Sequence, residues 1–227
     1  MKYDTLLFDA DGTLLDFELA EHDAFISAMA RFGIIADDDT ISIYSKLNDA
    51  LWKKLERKEI ERDVLKVCRF EELASALGVD YDATKVARTY ENELSKQSHL
   101  LGNAFEVCTK LASKCRLYII TNGFKMIQEG RIYNSPIYPL FSRIFISEEI
   151  GCDKPSPKYF EAVKKAIPDF CAKHTLVIGD SLTSDIRGGI DAGIPVCWFN
   201  PKHKPIPQNI DIDYIIDDLE MLIEITK

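Results

Sequence analysis

The chain of 227 residues contains no run of 18 apolar residues, so no segment reads as a membrane-spanning helix. Its start, Met1-Lys2-Tyr3-Asp4, lacks the long apolar region of a signal peptide, and a cytoplasmic location is expected. There is no Cys-x-x-Cys pair. The six cysteines (Cys68, Cys108, Cys115, Cys152, Cys171 and Cys197) are scattered and read as reduced, mostly buried small hydrophobes. The four histidines, His22, His99, His174 and His203, show no metal-ligand spacing. Bases are the minority charge. With 28 Lys and Arg against 37 Asp and Glu, the formal net charge is −9, which argues against nucleic acid or an anionic membrane as main partner. A small anionic substrate fits that charge only if a cation or a local Lys receives it. Repeats and low-complexity segments are also absent.

What is present is an ordinary globular composition, 46% apolar and 29% charged, enough for one large domain or two small ones. The chain is organised around Thr5-Leu6-Leu7-Phe8-Asp9-Ala10-Asp11-Gly12-Thr13. An apolar strand-type run ends in two carboxylates two residues apart, and Gly12 permits a sharp turn. Side chains at i and i+2 of an extended segment point the same way, so two acids share one space at the carboxyl end of a strand. Open parallel α/β sheets bind ligands at that end. Like charges this close both stay ionised only beside a cation; otherwise one holds a proton. The stretch is not an EF-hand loop, because Gly12 is fourth from Asp9 where that loop needs its sixth.

Residues 16–100 read as four helices with no strand between them. Their apolar positions are Phe17 to Phe32, Tyr44 to Leu55, Val64 to Leu77 and Ala83 to Leu94. Gly33 and Gly78 are helix stops. From residue 101 the texture alternates. Strands are expected at Leu117–Ile120, Ile144–Ile146, Leu176–Ile178, Ile194–Phe199 and Tyr214–Ile216. Helices are expected at Ala104–Leu111, Lys125–Tyr133, Pro157–Ile167, Asp185–Ala192 and Leu219–Ile225. Alternation of this kind predicts a parallel sheet covered on both faces. The first strand belongs to it, so the helical segment is an insertion. The expected architecture is an α/β core of residues 1–15 and 101–227 interrupted by a helical domain, 16–100.

Each later strand also delivers a polar group to its end. Thr121-Asn122-Gly123 follows the second strand, Lys154-Pro155 the third, and Gly179-Asp180-Ser181, with Asp185 beyond, the fourth. Singly these read as turns, a surface Lys, or an acid favoured by a helix dipole. Together, in order and all at strand ends, packing does not account for them.

The four segments, Asp9-Ala10-Asp11-Gly12-Thr13, Thr121-Asn122-Gly123, Lys154-Pro155-Ser156-Pro157 and Gly179-Asp180-Ser181-Leu182-Thr183-Ser184-Asp185, resemble the four motifs of the haloacid dehalogenase superfamily of phosphohydrolases. The insertion looks like that family's helical cap. The resemblance implies a Rossmann-like core with a four-helix cap, a Mg²⁺ site and a phosphoenzyme mechanism. The chemistry agrees: a phosphate monoester is slow to hydrolyse, and a covalent carboxylate intermediate divides the step. Asp9 is the expected nucleophile, and Asp11 the acid for the leaving oxygen and then the base for water. Mg²⁺ is expected on the carboxylates of Asp9 and Asp180 and, by resemblance, on the backbone carbonyl of Asp11. Thr121, Asn122 and Lys154 are expected on the phosphoryl oxygens. Asp185 is expected to support the metal's water shell or Lys154.

Resemblance implies further that haloacid-cleaving members lack an acid at the position of Asp11, so phosphate chemistry is favoured. The segments Thr121 to Arg131, with Gln128, Ile146 to Gly151, Cys197 to Pro201 and Arg69 to Leu73 resemble a branch of pyrimidine 5′-nucleotidases. The expected partner is therefore a small phosphate ester. Selectivity for the leaving group falls to the helical insertion, with Phe17 and Arg69 as its first candidates. Phe17, Trp52 and Phe70 could stack on a base, although their helical spacing also suits a core. The alternatives are a sugar-phosphate phosphatase or phosphomutase, or a silent binding member. A silent member would be expected to lose Asp9, Asp11 or Lys154.

Overall fold

Thr5–Phe8 is the first strand, β1, and all four residues are buried. A strand with both faces covered must sit inside a sheet that is packed on both sides. The structure, a computed structural model, describes residues 2–227, with the side chain of Glu56 outside the description. Among these residues, β1 is joined by β2 (Arg116–Thr121), β3 (Phe141–Ile146), β4 (Thr175–Gly179), β5 (Val196–Phe199) and β6 (Tyr214–Ile216) in one six-stranded sheet. The order is β3-β2-β1-β4-β5-β6, and every neighbouring pair is parallel. This is the expected Rossmann-like α/β core.

The period of two along each strand builds two cores. Leu6 and Phe8, Leu117 and Ile119, and Leu176 and Ile178 enter one apolar cluster. Their neighbours Leu7, Tyr118, Ile120 and Val177 enter the other. The helices of this part are α5 (Ala104–Ala112), α6 (Lys125–Tyr133), α7 (Ser147–Ile150), α8 (Pro157–Ala166), α9 (Arg187–Asp191) and α10 (Leu222–Ile225), numbered after four helices in the insertion. The chain builds outward from β1 in one direction, returns, and builds outward in the other. The carboxyl ends of β1 and β4 therefore flank the switch point where ligands bind in such sheets.

Several local expectations shift. β3 starts at Phe141 rather than Ile144. It is an edge strand with an irregularity at its start: Leu117 pairs with Phe141 and Tyr118 with Arg143, so Ser142 is the extra residue, and Ser142 and Arg143 are exposed. Ile194 and Pro195 precede β5. Proline has no N–H for a ladder, and the carbonyl of Pro195 accepts from the Val177 amide at 2.9 Å. The helix expected at Asp185–Ala192 starts earlier and changes type: a π turn, Leu182–Ile186, leads into α9. Ser147–Ile150, expected only as a connector, forms the single turn α7.

Contacts divide the chain into a core unit, Met1–Phe17 with Ser98–Lys227, and a helical unit, Glu18–Gln97. The dividing points lie a little inside the expected 16–100. In the core unit the outgoing and returning segments are stitched together. The Asp16 amide donates to the His99 carbonyl and the Leu101 amide to the Leu14 carbonyl, each at 2.9 Å.

The insertion carries α1 (Phe17–Arg31), α2 (Asp38–Glu56), α3 (Arg62–Leu77) and α4 (Ala83–Leu94). Local signals set their ends. Asp37 and Asp82 cap α2 and α4 by accepting from the amides of Thr40 and Lys85. Gly78 ends α3 at a φ of 65°, which costs a side chain-free residue nothing. Inside the unit Tyr44 stacks on Phe25 and Phe70, with ring centroids at 4.3 and 5.5 Å, and Phe70 lies 5.4 Å from Tyr90. Phe70 is thus a core ring of this unit. Among the described residues no helix is long and apolar enough to cross a membrane.

Candidate active site

The loop after β1 is tight. The amides of Leu14 and Leu15 both donate to the Ala10 carbonyl, at 2.9 and 2.8 Å, and Gly12 sits at a φ of 78°. A Cβ at Gly12 would also lie 3.1 Å from the Asp180 carboxylate. Gly12 therefore serves the turn and keeps β1's loop close to β4's acid.

Asp9 is buried at the end of β1, its amide still in the ladder with the Ile178 carbonyl at 2.8 Å. Lys154 is only 2% exposed, far from a surface charge. Its ammonium donates to Asp9 Oδ1 at 2.6 Å, Asp185 Oδ1 at 2.6 Å and the Ile120 carbonyl at 2.9 Å, which uses all three of its hydrogens. Asn122 clamps the same lysine by its backbone. Its Nδ2 donates to the Lys154 carbonyl at 2.9 Å and its Oδ1 accepts from the Lys154 amide at 2.8 Å. Asp185 reaches inward because Gly179 has no side chain: a Cβ there would meet its Oδ2 at 2.3 Å. That oxygen also accepts from the Ser181 amide at 3.2 Å. The π turn supplies the extra width that aims Asp185 back toward its own strand.

Asp9, Asp180 and Asp185 each place a carboxylate oxygen within 4.8 Å of the others. Lys154 pairs with Asp9 and Asp185, and the half-exposed Lys204 lies 3.8 Å from Asp180, so three acids face two bases and the cluster carries an excess of negative charge. Burial and then Asp185 push the Asp9 carboxyl well above the usual range, with Lys154 pulling the other way. Burial and then Asp185 raise Asp180 to about 6. For Lys154, burial alone would favour the neutral amine, but Asp185 and Asp9 outweigh it and hold the ammonium charged. A hard divalent cation with oxygen ligands relieves such a cluster, and the all-carboxylate donor set suits Mg²⁺.

Asp11 lies on the same turn, but its carboxylate is held elsewhere. Oδ2 accepts from Gln128 Nε2 at 2.6 Å and Oδ1 from Arg131 Nη1, both on α6. Gln128 Nε2 also donates to Thr121 Oγ1 at 2.7 Å, and Thr121 accepts the Gly123 amide at 3.2 Å. The carboxyl edge of the sheet thus gathers one acid cluster with a buried lysine and one further acid on a separate mount.

A profile of the haloacid dehalogenase-like hydrolases matches residues 3–193. The chain belongs to the haloacid dehalogenase-like hydrolase family. It is therefore a hydrolase, and the resemblance carried by its four motifs holds. The HAD-hydrolase YfnB of Bacillus subtilis is 39% identical over 99% of this chain and 95% of its own length. The crystal structure of YfnB, described as bound to magnesium, aligns with a TM-score of 0.95 at 38% identity and covers 100% of both chains. The pyrimidine 5′-nucleotidase PynA of Streptococcus pneumoniae is 39% identical over 89% of this chain and 86% of its own. The pyrimidine 5′-nucleotidase YjjG of Escherichia coli is 29% identical over 98% and 97%.

In this haloacid dehalogenase-like hydrolase, Asp9, Lys154, Asp180 and Asp185 come together, and Thr121 and Asn122 stand beside them. The two candidates from the insertion fare differently. Phe17 falls in the core unit, with the Arg131 guanidinium 5.4 Å from its ring centre. Arg69, expected on a face open to the leaving group or to solvent, is 2% exposed inside the helical unit. Its guanidinium lies 5.2 and 4.6 Å from the rings of Phe70 and Tyr90, and its Nη1 donates to Asn48 Oδ1 at 3.2 Å. Aromatic faces stabilise a guanidinium there, so Arg69 is a packing residue of the helical unit. In the sequence Gln128 and Arg131 read only as part of a segment that resembles the nucleotidase branch, without a task at the site. Their signal was available: a polar and a charged residue three apart on one helix face, just after a strand-end motif.

Proposed function

We propose that this hydrolase is a Mg²⁺-dependent phosphomonoesterase acting through an aspartyl-phosphate, with pyrimidine nucleoside 5′-monophosphates as preferred substrates. The observation that carries the reading is the Asp9–Lys154–Asp185 cluster at the switch point with a second acid, Asp11, on the same turn. Asp9 is the nucleophile. Its carboxylate oxygen bonds to phosphorus as the ester P–O bond breaks, and the leaving oxygen keeps the electron pair and takes a proton from Asp11. Water then attacks the phosphorus and gives its proton to Asp11. The Asp9–phosphorus bond breaks, and phosphate and the free carboxylate remain.

The carboxylates of Asp9 and Asp180 and the backbone carbonyl of Asp11 would hold Mg²⁺. When bound, that cation supplies positive charge against the repulsion between an anionic nucleophile and an anionic substrate. Both carboxylate oxygens of Asp185 are already engaged, by Lys154 and Ser181, which supports an indirect role for it. Lys154 and Thr121 stabilise the phosphoryl oxygens. The clamp of Asn122 on the Lys154 backbone supports a part for its side chain in placing that lysine. The nucleotide preference rests on the likeness to PynA and YjjG. Six free cysteines support the expected cytoplasmic setting.

The test is a series of phosphate esters with Mg²⁺: dUMP, dTMP, UMP, AMP, sugar phosphates and p-nitrophenyl phosphate. The pyrimidine nucleotides are expected to show the highest kcat/KM. Preference for a sugar phosphate would overturn the substrate, and turnover of none would overturn the reaction.

A further inference from the structure

Asp11 is the only acid of the site whose two carboxylate oxygens are both held from α6. Gln128 Nε2 reaches Oδ2 at 2.6 Å and Arg131 Nη1 reaches Oδ1. Both donors are buried, at 1% and 0% exposure, whereas the Asp11 side chain keeps 27% of its surface open. A carboxyl group has about four lone-pair sites, so two held oxygens still leave one to carry the proton that the leaving oxygen takes, or to accept from a water. Two donors on the two oxygens fix the plane of the group and its rotation about the Cα–Cβ bond.

The support extends one layer further. Gln128 spends its second Nε2 hydrogen on Thr121 Oγ1 at 2.7 Å, which ties Asp11 to the end of β2. Its Oε1 lies 3.4 Å from Arg131 Nη1. The side chain of Gln128 passes through the space beside Gly123, where a Cβ would stand 2.3 Å from its Cγ and 2.4 Å from its Nε2. Gly123 has no positive φ to require glycine. Its missing side chain is explained by the passage of Gln128.

We propose that Gln128 and Arg131 are positioning residues for the acid–base work of Asp11, and that Gly123 is glycine so that Gln128 can reach it. This inference rests on the phosphomonoesterase reading above. A nucleoside alkoxide is strongly basic and needs Asp11's proton as its bond to phosphorus breaks. A p-nitrophenolate is weakly basic and leaves without one. Loss of Asp11's positioning therefore affects the first ester far more than the second. A purely structural tie between the β1 loop and α6 would affect both alike.

The experiment measures kcat/KM for a pyrimidine nucleoside monophosphate and for p-nitrophenyl phosphate with Mg²⁺. The proteins are the wild type, Asp11→Asn, Gln128→Met, Gly123→Ala and Arg131→Met. General acid–base catalysis contributes about 10²–10⁴-fold, so the three positioning variants are expected to lose roughly 10²-fold on the nucleotide and under about tenfold on p-nitrophenyl phosphate. In the Asp11→Asn background Gln128→Met should add no further selective loss, because the group it positions is gone. Gly123→Ala leaves Gln128 and Arg131 chemically intact, so it carries the test even if the buried Arg131→Met fails to fold. Equal losses on the two esters in Gln128→Met and Gly123→Ala, with Asp11→Asn still selective, would overturn the positioning role alone. Equal losses in Asp11→Asn would overturn the acid role of Asp11, and the proposal with it.

Discussion

Each unit of the molecule buries a cluster of ionisable groups, and the two clusters balance their charge differently. In the core unit one ammonium, Lys154, serves Asp9 and Asp185, with Asp180 a third acid beside them. In the helical unit one guanidinium faces one acid through an amide. Arg69 donates to Asn48 at 3.2 Å, and Asn48 donates to Glu21 at 2.7 Å. In the second set Arg69 lies near two acids, Glu91 and Glu21, with aromatic faces over the guanidinium, and Glu21 also accepts from Ser45 at 3.4 Å. In the first, Asp9, Asp180 and Asp185 have Lys154 and, 3.8 Å from Asp180, the half-exposed Lys204, so acids still outnumber bases. Burying unpaired charge is costly, so a cluster of that kind persists where a ligand completes it. The close approach of three carboxylates, more than burial itself, distinguishes the core cluster.

The largest expected break comes at Asp9, the proposed nucleophile. Asp9→Asn should lower kcat by about three orders of magnitude or more on every ester while leaving a folded protein, since losses of a nucleophile are of that size. Steady-state kinetics beside a thermal unfolding curve check it. Retention of more than about one per cent of activity would remove Asp9 from that role.

Lys154 is the shared partner, so its loss strands two buried acids. Lys154→Ala should destabilise the fold by about 3–5 kcal/mol, the usual cost of breaking a buried pair, in denaturant unfolding. Any turnover that survives should be reduced by similar factors on nucleotides and on p-nitrophenyl phosphate. A strong change in that ratio would mean that Lys154 reads the leaving group.

A cation should relieve the core cluster and leave the helical one unaffected. Mg²⁺ at a hundred times its Kd should stabilise the protein by about 2.7 kcal/mol and raise Tm, whereas Asp180→Asn should lose most of that shift. EDTA should abolish turnover. An equal Mg²⁺ shift in the Asp180→Asn protein would place the cation elsewhere.

The smallest effect sharpens the comparison from the other side. Burial, opposed by Arg69, raises Glu21 from 4.5 to about 7. The folded state then binds more protons than the unfolded state between about 4.5 and 7, so stability is greatest below that window and falls as pH rises through it. Glu21 keeps partial solvent contact, which brings the change to about 1–3 kcal/mol. Unfolding free energies from pH 5 to 8 should decline less steeply in Glu21→Gln than in the wild type, the remaining decline coming from the raised Asp9 and Asp180. An unchanged slope in the variant would assign the pH dependence to another group.

The comparison also marks what was legible beforehand. The strand-end groups Asp9, Asp11, Thr121, Lys154 and Asp180 were readable because each follows its own apolar run, a signal held within a few residues. The helical insertion was readable for the same reason, from its spacing and stops. The start of β3 and the start of the helix expected at Asp185–Ala192 are less legible, because the local pattern is weak there: β3 opens on an irregularity with Ser142 and Arg143 exposed, and the π turn Leu182–Ile186 keeps polar residues in a helical run.

Local order in the chain determined the alternation of strands and helices, the place of the insertion and the polar residue at each strand end, since these follow from periodicity and turn chemistry among near neighbours. Tertiary structure alone decided the partners. Lys154 meets Asp9 across 145 positions and Arg131 meets Asp11 across 120, because β1 lies between β2 and β4. It likewise decided that Arg69, a residue that could face outward on α3, packs among Phe70, Tyr90 and Asn48. A side chain's partner depends on which elements lie side by side, and that is set by burying all the apolar faces at once.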